Sequence, residues 1–385
     1  MKFLPDTTWL GILGGGQLGR MVCQEARSMG YRVITWSGGG DAQPASVANI
    51  VLNEPFDCPR ALETFLNQAD VVTVEFENIP KDLLEAIEKQ RPMGPAPTPV
   101  IVCQHREREK AFLSEHGFPC AWYRVVDSAD SLAKALQALP QGKGILKTAE
   151  FGYDGKGQQS VSSNDDATAI WNDFDAPRAV LEEHVDLGGE LSVLVARGRD
   201  GQTICYDAAE NIHRRHILDL SIVPARFSAS ILAEAQDAAI GIAEKLDYCG
   251  IMAVEFFLTQ DARIVVNEMA PRPHNSGHHT LDACATSQFE QPVRALCGLP
   301  LGQPTLLRPA VMWNLLGDLW SSDGTAPDWS QILAIPEATL HLYDKPEARV
   351  GRKMGHVTFL GNTIEQALER AKHARQLFGW SDTES

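Results

Sequence analysis

The stretch VEFFLTQDARIVVNE holds the sharpest chemistry in the chain. Apolar runs flank a turn-like centre, so the segment predicts a β-hairpin. A two-residue turn at Asp261 and Ala262 pairs Glu255 directly with Glu268, with Asn267 alongside. Directly opposed Cβ atoms lie about 5 Å apart, and like charges there are destabilising unless something neutralises them. A divalent cation does so, and Mg²⁺ prefers a few carboxylates plus substrate phosphates to a full protein cage. A protonated or solvent-facing pair is the plainer alternative, and a one-residue slip of register removes the juxtaposition.

Donors follow at once. In EMAPRPHNSGHHT, Arg272, His274, Asn275, Ser276 and His278 fall close together and suit a phosphate or a transition-state anion. Zinc competes for His274, His278 and His279, but no cysteine or carboxylate nearby completes a tetrahedral set. Further on, YDKPEARVGRKMGH supplies Lys345, Arg349, Arg352 and Lys353, either a second phosphate patch or a solvated basic loop. Upstream, Lys147 in GILKTAEFGYDGKGQ precedes a loop with Gly152, Gly155 and Gly157. A lysine beside a closing glycine loop can hold the phosphates of ATP. The spacing is not that of a Walker A motif, and a hairpin tip with a solvated lysine is the plain alternative.

A second glycine pattern, GILGGGQLGRM, reads G-x-G-x-x-G at Gly14, Gly16 and Gly19. A dinucleotide site also needs an acidic residue about 20 positions on. Trp36 and Ser37 stand there instead, with Asp41 beyond another glycine run, so the NAD reading is weak. Two alternatives remain: a tight turn without ligand, or an anion or sugar site at the helix N-terminus reached by Gln17. Glu75 and Asn78, in EFENIP, fall at the carboxyl end of a strand, the ligand edge of an open α/β sheet, although an exposed loop is equally compatible.

These residues need a scaffold. TWLGIL, YRVITW and VVTVEF predict strands, separated by helices over GQLGRMVCQEARSMG and ALETFLNQAD and followed by KDLLEAIEKQ, which gives a parallel doubly wound sheet. The Pro- and Gly-dense RPMGPAPTPV marks a boundary. One helix is expected over VCQHREREKAFLSEHG. Then come strands AWYRVV, GILKTA, AVLEEHV and ELSVLVAR, a helix over SLAKALQAL, and a long amphipathic helix over ASILAEAQDAAIGIAEKL. The hairpin follows. Strands AVMWNLLG, ATLHLYD and GHVTFLG and a last helix from Thr363 predict a small mixed C-terminal domain.

The chain has 385 residues and a net charge of −16. That balance argues against a general nucleic-acid binder but not against an anionic small substrate met by local basic clusters. No apolar run is long enough to span a membrane, and no signal-peptide pattern is present. The eight scattered cysteines predict reduced thiols in a cytoplasmic protein.

Together, GILGGGQLGRM, VEFENIP, FGYDGKGQ, NEMAPRPHNSGH and YDK…GRKMGH resemble the ATP-grasp superfamily and, within it, the N5-carboxyaminoimidazole ribonucleotide synthetase family. The pieces run in family order over nearly the whole chain. The resemblance implies an ATP-grasp fold of mixed α/β and α+β class. It implies a Rossmann-like pre-ATP-grasp domain at 1–103, an ATP-grasp domain at 104–305 with a lid subdomain at about 121–182, and a C-terminal domain at 306–385. It implies ATP held by Arg106, Lys147, the lid loop (Gly152, Tyr153, Asp154, Gly155, Lys156, Gly157, Gln158), the hinge (Glu182, Glu183, His184, Val185), Glu190, His213, Asn267 and Glu268. Glu255 and Glu268 correspond to the ligands of Mg²⁺, in two ions. Gln17, Leu18, Glu75, Asn78, Arg272, His274, Asn275, Ser276, Lys345 and Arg352 correspond to the ribonucleotide site. Tyr153, Asp154, Arg272 and Lys345 correspond to catalytic positions, with Asp154 orienting or deprotonating the amine. The implied reaction carboxylates aminoimidazole ribonucleotide with ATP and bicarbonate through carboxyphosphate, in a cytoplasmic homodimer. Competing expectations are a formate-dependent glycinamide ribonucleotide transformylase and, from a different class, an NAD-dependent dehydrogenase or a nucleotide sensor without turnover.

Overall fold

In the computed structural model, residues 2–40, 42–150 and 157–380 are described. The N-terminal segment folds as expected into a parallel sheet. Strands β1 (Trp9–Leu13), β2 (Arg32–Gly38), β3 (Ile50–Pro55) and β4 (Val71–Val74) lie in the order β3-β2-β1-β4. β1 and β4 read as near-continuous apolar runs because helices cover both faces of such a sheet. The strand β3 was not expected. It is a half-exposed edge strand ending in Asn53, Glu54 and Pro55, with no apolar alternation to betray it.

The single helix expected after the Pro-rich boundary is two helices, Pro97–Cys103 and Arg106–Glu115. Pro97 opens the first, where its missing N–H costs nothing. The break falls at His105, whose backbone is extended. Gln104 pins it there by donating from Nε2 to the carbonyls of Glu77 at 2.6 Å and Ile79 at 2.7 Å.

A second, antiparallel sheet holds β5 (Tyr123–Val126), β6 (Lys143–Thr148), β7 (Gln158–Ser162) and β8 (Ala179–Glu183) in the order β5-β8-β6-β7. Its own core joins Leu146 and Leu181 to Leu132, Leu136 and Ile170 from the helices Ala129–Gln137 and Ala167–Phe174. β7 and the Ala167–Phe174 helix were missed, because both are short and β7 is polar.

The third sheet has nine strands: β9 (Leu187–Arg197), β10 (Thr203–Cys205), β11 (Ala209–Arg214), β12 (Ile217–Val223), β13 (Gly250–Thr259), β14 (Ile264–Ala270), β15 (Ala310–Leu316), β16 (Ala338–Leu342) and β17 (Lys353–Leu360). The order is β14-β13-β9-β11-β12-β15-β17-β16, with β10 beside β9. Ala235, Ala239 and Ile242 of the Ala229–Lys245 helix pack on Val193, Val195 and Val254. The C-terminal strands form no sheet of their own. β15 pairs antiparallel with β12, Leu220 opposite Trp313, so the sheet runs on without a seam. The last helix, Ile364–Leu377, is capped by Thr363 and shares one core with Trp313, Val357 and Phe359. Its Arg375 pairs with Asp219 of β12 at 2.9 Å, both side chains buried.

Candidate active site

The β13–β14 hairpin places Glu255 opposite Glu268, as expected, but by another route. Next to the turn, Leu258 pairs with Ile264 and Phe256 with Val266. That register needs a three-residue loop, Gln260 to Ala262, with Ala262 left-handed at φ 63°. The register then shifts at Glu255/Phe256, and Asn267 is the extra residue of a β-bulge. The longer loop and the bulge offset each other. The bulge also keeps Asn267 near the pair, its Nδ2 lying 3.5 Å from Glu255 Oε2. Burial and the neighbouring Glu268 push the Glu255 carboxyl up to about 7. A half-neutralised carboxylate pair of this kind fits a divalent cation, whose charge would hold both groups ionised.

Cations line one side of the pair. Arg106, the first residue of its helix, reaches to 3.7 Å from Glu268 Oε2. Lys147 on β6 donates to Glu182 Oε2 at 3.2 Å, and Lys110 lies 3.3 Å from the same oxygen. Lys110 is fully buried and also donates to the carbonyls of Val266 and Asn267. Glu182 is buried too, yet Lys110 and Lys147 outweigh the burial and hold its carboxyl down at about 2. Burial lowers the Lys147 ammonium. Lys110 and Glu109 were missed, although Arg106, Glu109 and Lys110 stand at i, i+3 and i+4 and so share one helical face. Glu109 accepts the Met269 N–H at 2.6 Å, which ties this helix to the end of β14.

Beyond Glu182, Glu183 accepts the Trp122 N–H at 2.8 Å, the exposed His184 lies 3.6 Å from Asp186, and Val185 is half-buried. Glu190 and His213 pair at 3.1 Å across β9 and β11. Burial lowers the imidazole, but its bond to Glu190 wins and the net direction is up. Gly157 and Gln158 lead into β7. Gly152, Tyr153, Asp154, Gly155 and Lys156 lie outside the described residues.

The other side faces the N-terminal sheet. Arg272 donates to Glu77 at 2.5 and 3.3 Å. Glu77 was passed over in favour of Glu75 and Asn78. Burial raises its carboxyl, but Arg272 more than reverses this. His274 Nε2 lies 3.1 Å from Glu255 Oε1. Ser276 is buried, and Asn275 is 7% exposed with neither amide atom hydrogen-bonded among the described residues. A buried amide without a protein partner is available to a ligand. Asn78, next to Glu77 in the chain, is exposed, and Gln17 and Leu18 open the Gln17–Ser28 helix half-buried. Lys345 stands over the Tyr343 ring at 5.7 Å, and Arg352 donates to the Glu347 carbonyl at 2.9 Å. Asp344, beside Lys345, bonds Arg20 of that helix at 3.0 Å, which draws the basic loop to the glycine turn.

The glycine turn has an internal occupant. Glu75 accepts the N–H of Gly16 at 2.6 Å and of Gly19 at 2.8 Å. Its carboxylate therefore sits where a pyrophosphate would meet the helix N-terminus, which removes the NAD reading. Glu75 is 5% exposed, so its carboxylate also has a structural task, that of closing the glycine turn. Gly14 is required here. It has φ +124°, and a Cβ would stand 2.1 Å from Glu75 Cγ. Gly14→Ala should lower stability by about 3 kcal/mol through strain and overpacking, read as a shifted urea midpoint.

A separate group contains none of the histidines weighed for zinc. Asp282, His341 and His356 gather within 4.8 Å of one another. His341 Nε2 bonds Asp282 at 3.0 Å, and its ring stacks on the His356 ring at 4.5 Å and 15°. Near-parallel stacked imidazoles cannot both aim in-plane lone pairs at one ion, so the group is a hydrogen bond on a cross-strand stack.

Comparison with known proteins fits this geometry. Residues 7–104 match the ribonucleotide synthetase preATP-grasp domain, residues 111–289 the ATP-grasp domain, and residues 310–370 the phosphoribosylaminoimidazole carboxylase C-terminal domain. The N5-carboxyaminoimidazole ribonucleotide synthase of Bacillus subtilis is 40% identical over 91% of either chain. That of Brucella melitensis is 43% identical over 92% of this chain and 96% of its own. The Staphylococcus aureus N5-carboxyaminoimidazole synthetase complexed with ADP superposes with a TM-score of 0.89 at 35% identity, covering 97% of this chain and 98% of its own. The Aspergillus clavatus enzyme in complex with ADP and 5-aminoimidazole ribonucleotide gives 0.86 at 29% identity, covering 97% and 99%.

Proposed function

The chain belongs to the N5-carboxyaminoimidazole ribonucleotide synthase family, and from that premise we propose how its residues divide the work. It is an ATP-grasp ligase of purine biosynthesis that carboxylates 5-aminoimidazole ribonucleotide at the expense of ATP. Bicarbonate attacks the γ-phosphorus of ATP, giving ADP and carboxyphosphate. Carboxyphosphate then delivers its CO₂ to the exocyclic amine, and phosphate leaves. The observation that carries this division is the Glu255/Glu268 pair, set between the cations Arg106 and Lys147 and the donors Arg272 and His274.

Arg106 and Lys147 bind the ATP phosphates, the hinge at Glu182, Glu183, His184 and Val185 meets the base, and Glu190 with His213 holds the ribose. Glu255 and Glu268, with Asn267, hold Mg²⁺, which screens phosphate charge when bound. Gln17, Leu18, Glu75, Asn78, Arg272, His274, Asn275, Ser276, Lys345 and Arg352 form the ribonucleotide side. Arg272 stabilises charge that develops in transfer. Tyr153 and Asp154 keep the catalytic roles that the family resemblance gives them. The lid excludes water from carboxyphosphate, which water destroys. The reading also carries the divisions 1–103, 104–305 and 306–385, a homodimer and a cytoplasmic location. Among the described residues, no helix is long and apolar enough to cross a membrane.

The test is phosphate release from ATP. Aminoimidazole ribonucleotide with bicarbonate should stimulate it strongly, and glycinamide ribonucleotide with formate should not. The reverse pattern would move the chain to the transformylase reading.

A further inference from the structure

One buried chain of polar groups runs behind Glu255 and is not explained by packing. Ser221 Oγ donates to Asn211 Oδ1 at 3.0 Å, and Asn211 Nδ2 donates to Ser192 Oγ at 2.9 Å. Ser192 Oγ donates to Ser276 Oγ at 2.7 Å, and Ser276 Oγ lies 2.8 Å from His274 Nδ1. His274 Nε2 ends the chain, 3.1 Å from Glu255 Oε1. Ser192, Asn211, Ser221 and Ser276 are each at most 5% exposed. Water therefore cannot substitute freely for a missing partner.

The direction of every bond follows from counting hydrogens. The Asn211 NH₂ can only donate, so Ser192 accepts from it and uses its single hydroxyl hydrogen on Ser276. Ser276 then has its own hydrogen left for His274 Nδ1. The Ser276 backbone N–H, also donor-only, independently points at Nδ1 from 3.4 Å. Nδ1 thus carries the lone pair and Nε2 the hydrogen. At the far end the ionised form of Glu255, the form that a cation needs, can only accept, which requires a hydrogen on Nε2. The backbone N–H, the Asn211 amide in its present orientation and the ionised carboxylate agree on one proton order.

We propose that the Ser221–Asn211–Ser192–Ser276 relay locks His274 as its Nε2–H tautomer, so that it holds one oxygen of Glu255 and leaves the other for a cation. Ser192 and Asn211 are positioning residues, since they act on Glu255 only through His274. The proposal rests on the reading of Glu255 as a metal ligand. Supporting bonds behind a ligating group are commonly worth tenfold to a hundredfold in metal affinity.

Asn211→Asp tests it, because the replacement keeps the shape but can only accept. Measured at pH 8, with two hydroxyls favouring the ionised form, it should reverse the chain. Nitrogen NMR of histidine-labelled full-length protein reports the tautomer, and His274→Gln identifies the signal. The natural protein should show hydrogen on Nε2, and Asn211→Asp should move it to Nδ1. The Mg²⁺ concentration giving half-maximal ATP turnover should rise about tenfold. Ser192→Ala, which cuts the chain without adding charge, is the second variant and should raise it in the same direction. Ser192→Thr keeps the hydroxyl and should keep the tautomer. Hydrogen on Nδ1 in the natural protein overturns the proposal, as does a tautomer shift with no change in Mg²⁺ dependence. If Glu255→Gln also leaves that dependence unchanged, it is the metal reading of Glu255 that has failed.

Discussion

Glu268→Gln should leave the chain folded while lowering substrate-stimulated ATP turnover about a hundredfold to a thousandfold, which corresponds to some 3–4 kcal/mol of transition-state stabilisation. The amide keeps the shape of the side chain but removes half of the Glu255/Glu268 pair. It also removes the charge that faces Arg106 at 3.7 Å. Two effects then act against each other on stability. The loss of like-charge repulsion with Glu255 is favourable, and the loss of a partner for Arg106 is not, so the urea midpoint should move little. Turnover should not be spared, because a neutral amide binds a divalent cation far less well than a carboxylate. Asp261→Asn, in the exposed turn of the same hairpin, is the control and should leave turnover unchanged. Folded Glu268→Gln protein with natural turnover would remove Glu268 from the active site.

Glu182→Ala should cost far more in stability. Its carboxylate lies between two ammonium groups, at 3.3 Å from Lys110 and 3.2 Å from Lys147, and all three side chains are at least nine-tenths buried. Removing one member of a buried pair leaves an uncompensated charge, which typically costs 3–5 kcal/mol. Here the deletion strands two like charges. Lys110 retains the carbonyls of Val266 and Asn267, which softens the loss. A destabilisation of about 4 kcal/mol is expected from urea unfolding, and less than about 1 kcal/mol would show that the cluster contributes little. The pH dependence has a definite sign. The Glu182 carboxyl is held down at about 2, against a usual value of 4.5, by the two lysines despite burial. Its contribution is therefore fully present above about 4.5 and is lost as pH falls through about 2. The gap between natural protein and variant should narrow across that window.

Much of this site was legible in the sequence because it is local. The carboxylate pair, the donors of NEMAPRPHNSGH and Lys147 before its glycine loop are all visible within short windows. Even so, the Glu255–Glu268 pairing was reached through a two-residue turn, whereas the chain uses three residues and a bulge at Asn267. Periodicity cannot distinguish two shifts that offset each other. Glu77 was missed because its role appears only when Arg272 arrives 195 residues later in the chain. Lys110 looked like part of a solvated charged helix, HREREK, and its burial depends on β8 and β14 packing over it. The glycine turn was read as open to a ligand, since nothing in GGGQLG reveals that Glu75 folds back onto it. For Glu77, Lys110 and the glycine turn the missing information was a contact distant in sequence.

The unbroken pairing of β12 with β15 bears on how this chain can be cut or recombined. A fragment ending near residue 306 would keep β12 but lose the strand that covers its outer side. The bared edge would carry Leu220, Ile222 and Val223 with open backbone amides and carbonyls, the pattern that templates aggregation. It would also take Arg375 from Asp219, whose carboxylate would lose its partner. The C-terminal strands thus serve as the sheet's own chaperone against self-association, and they are not interchangeable cargo for domain-swapping designs.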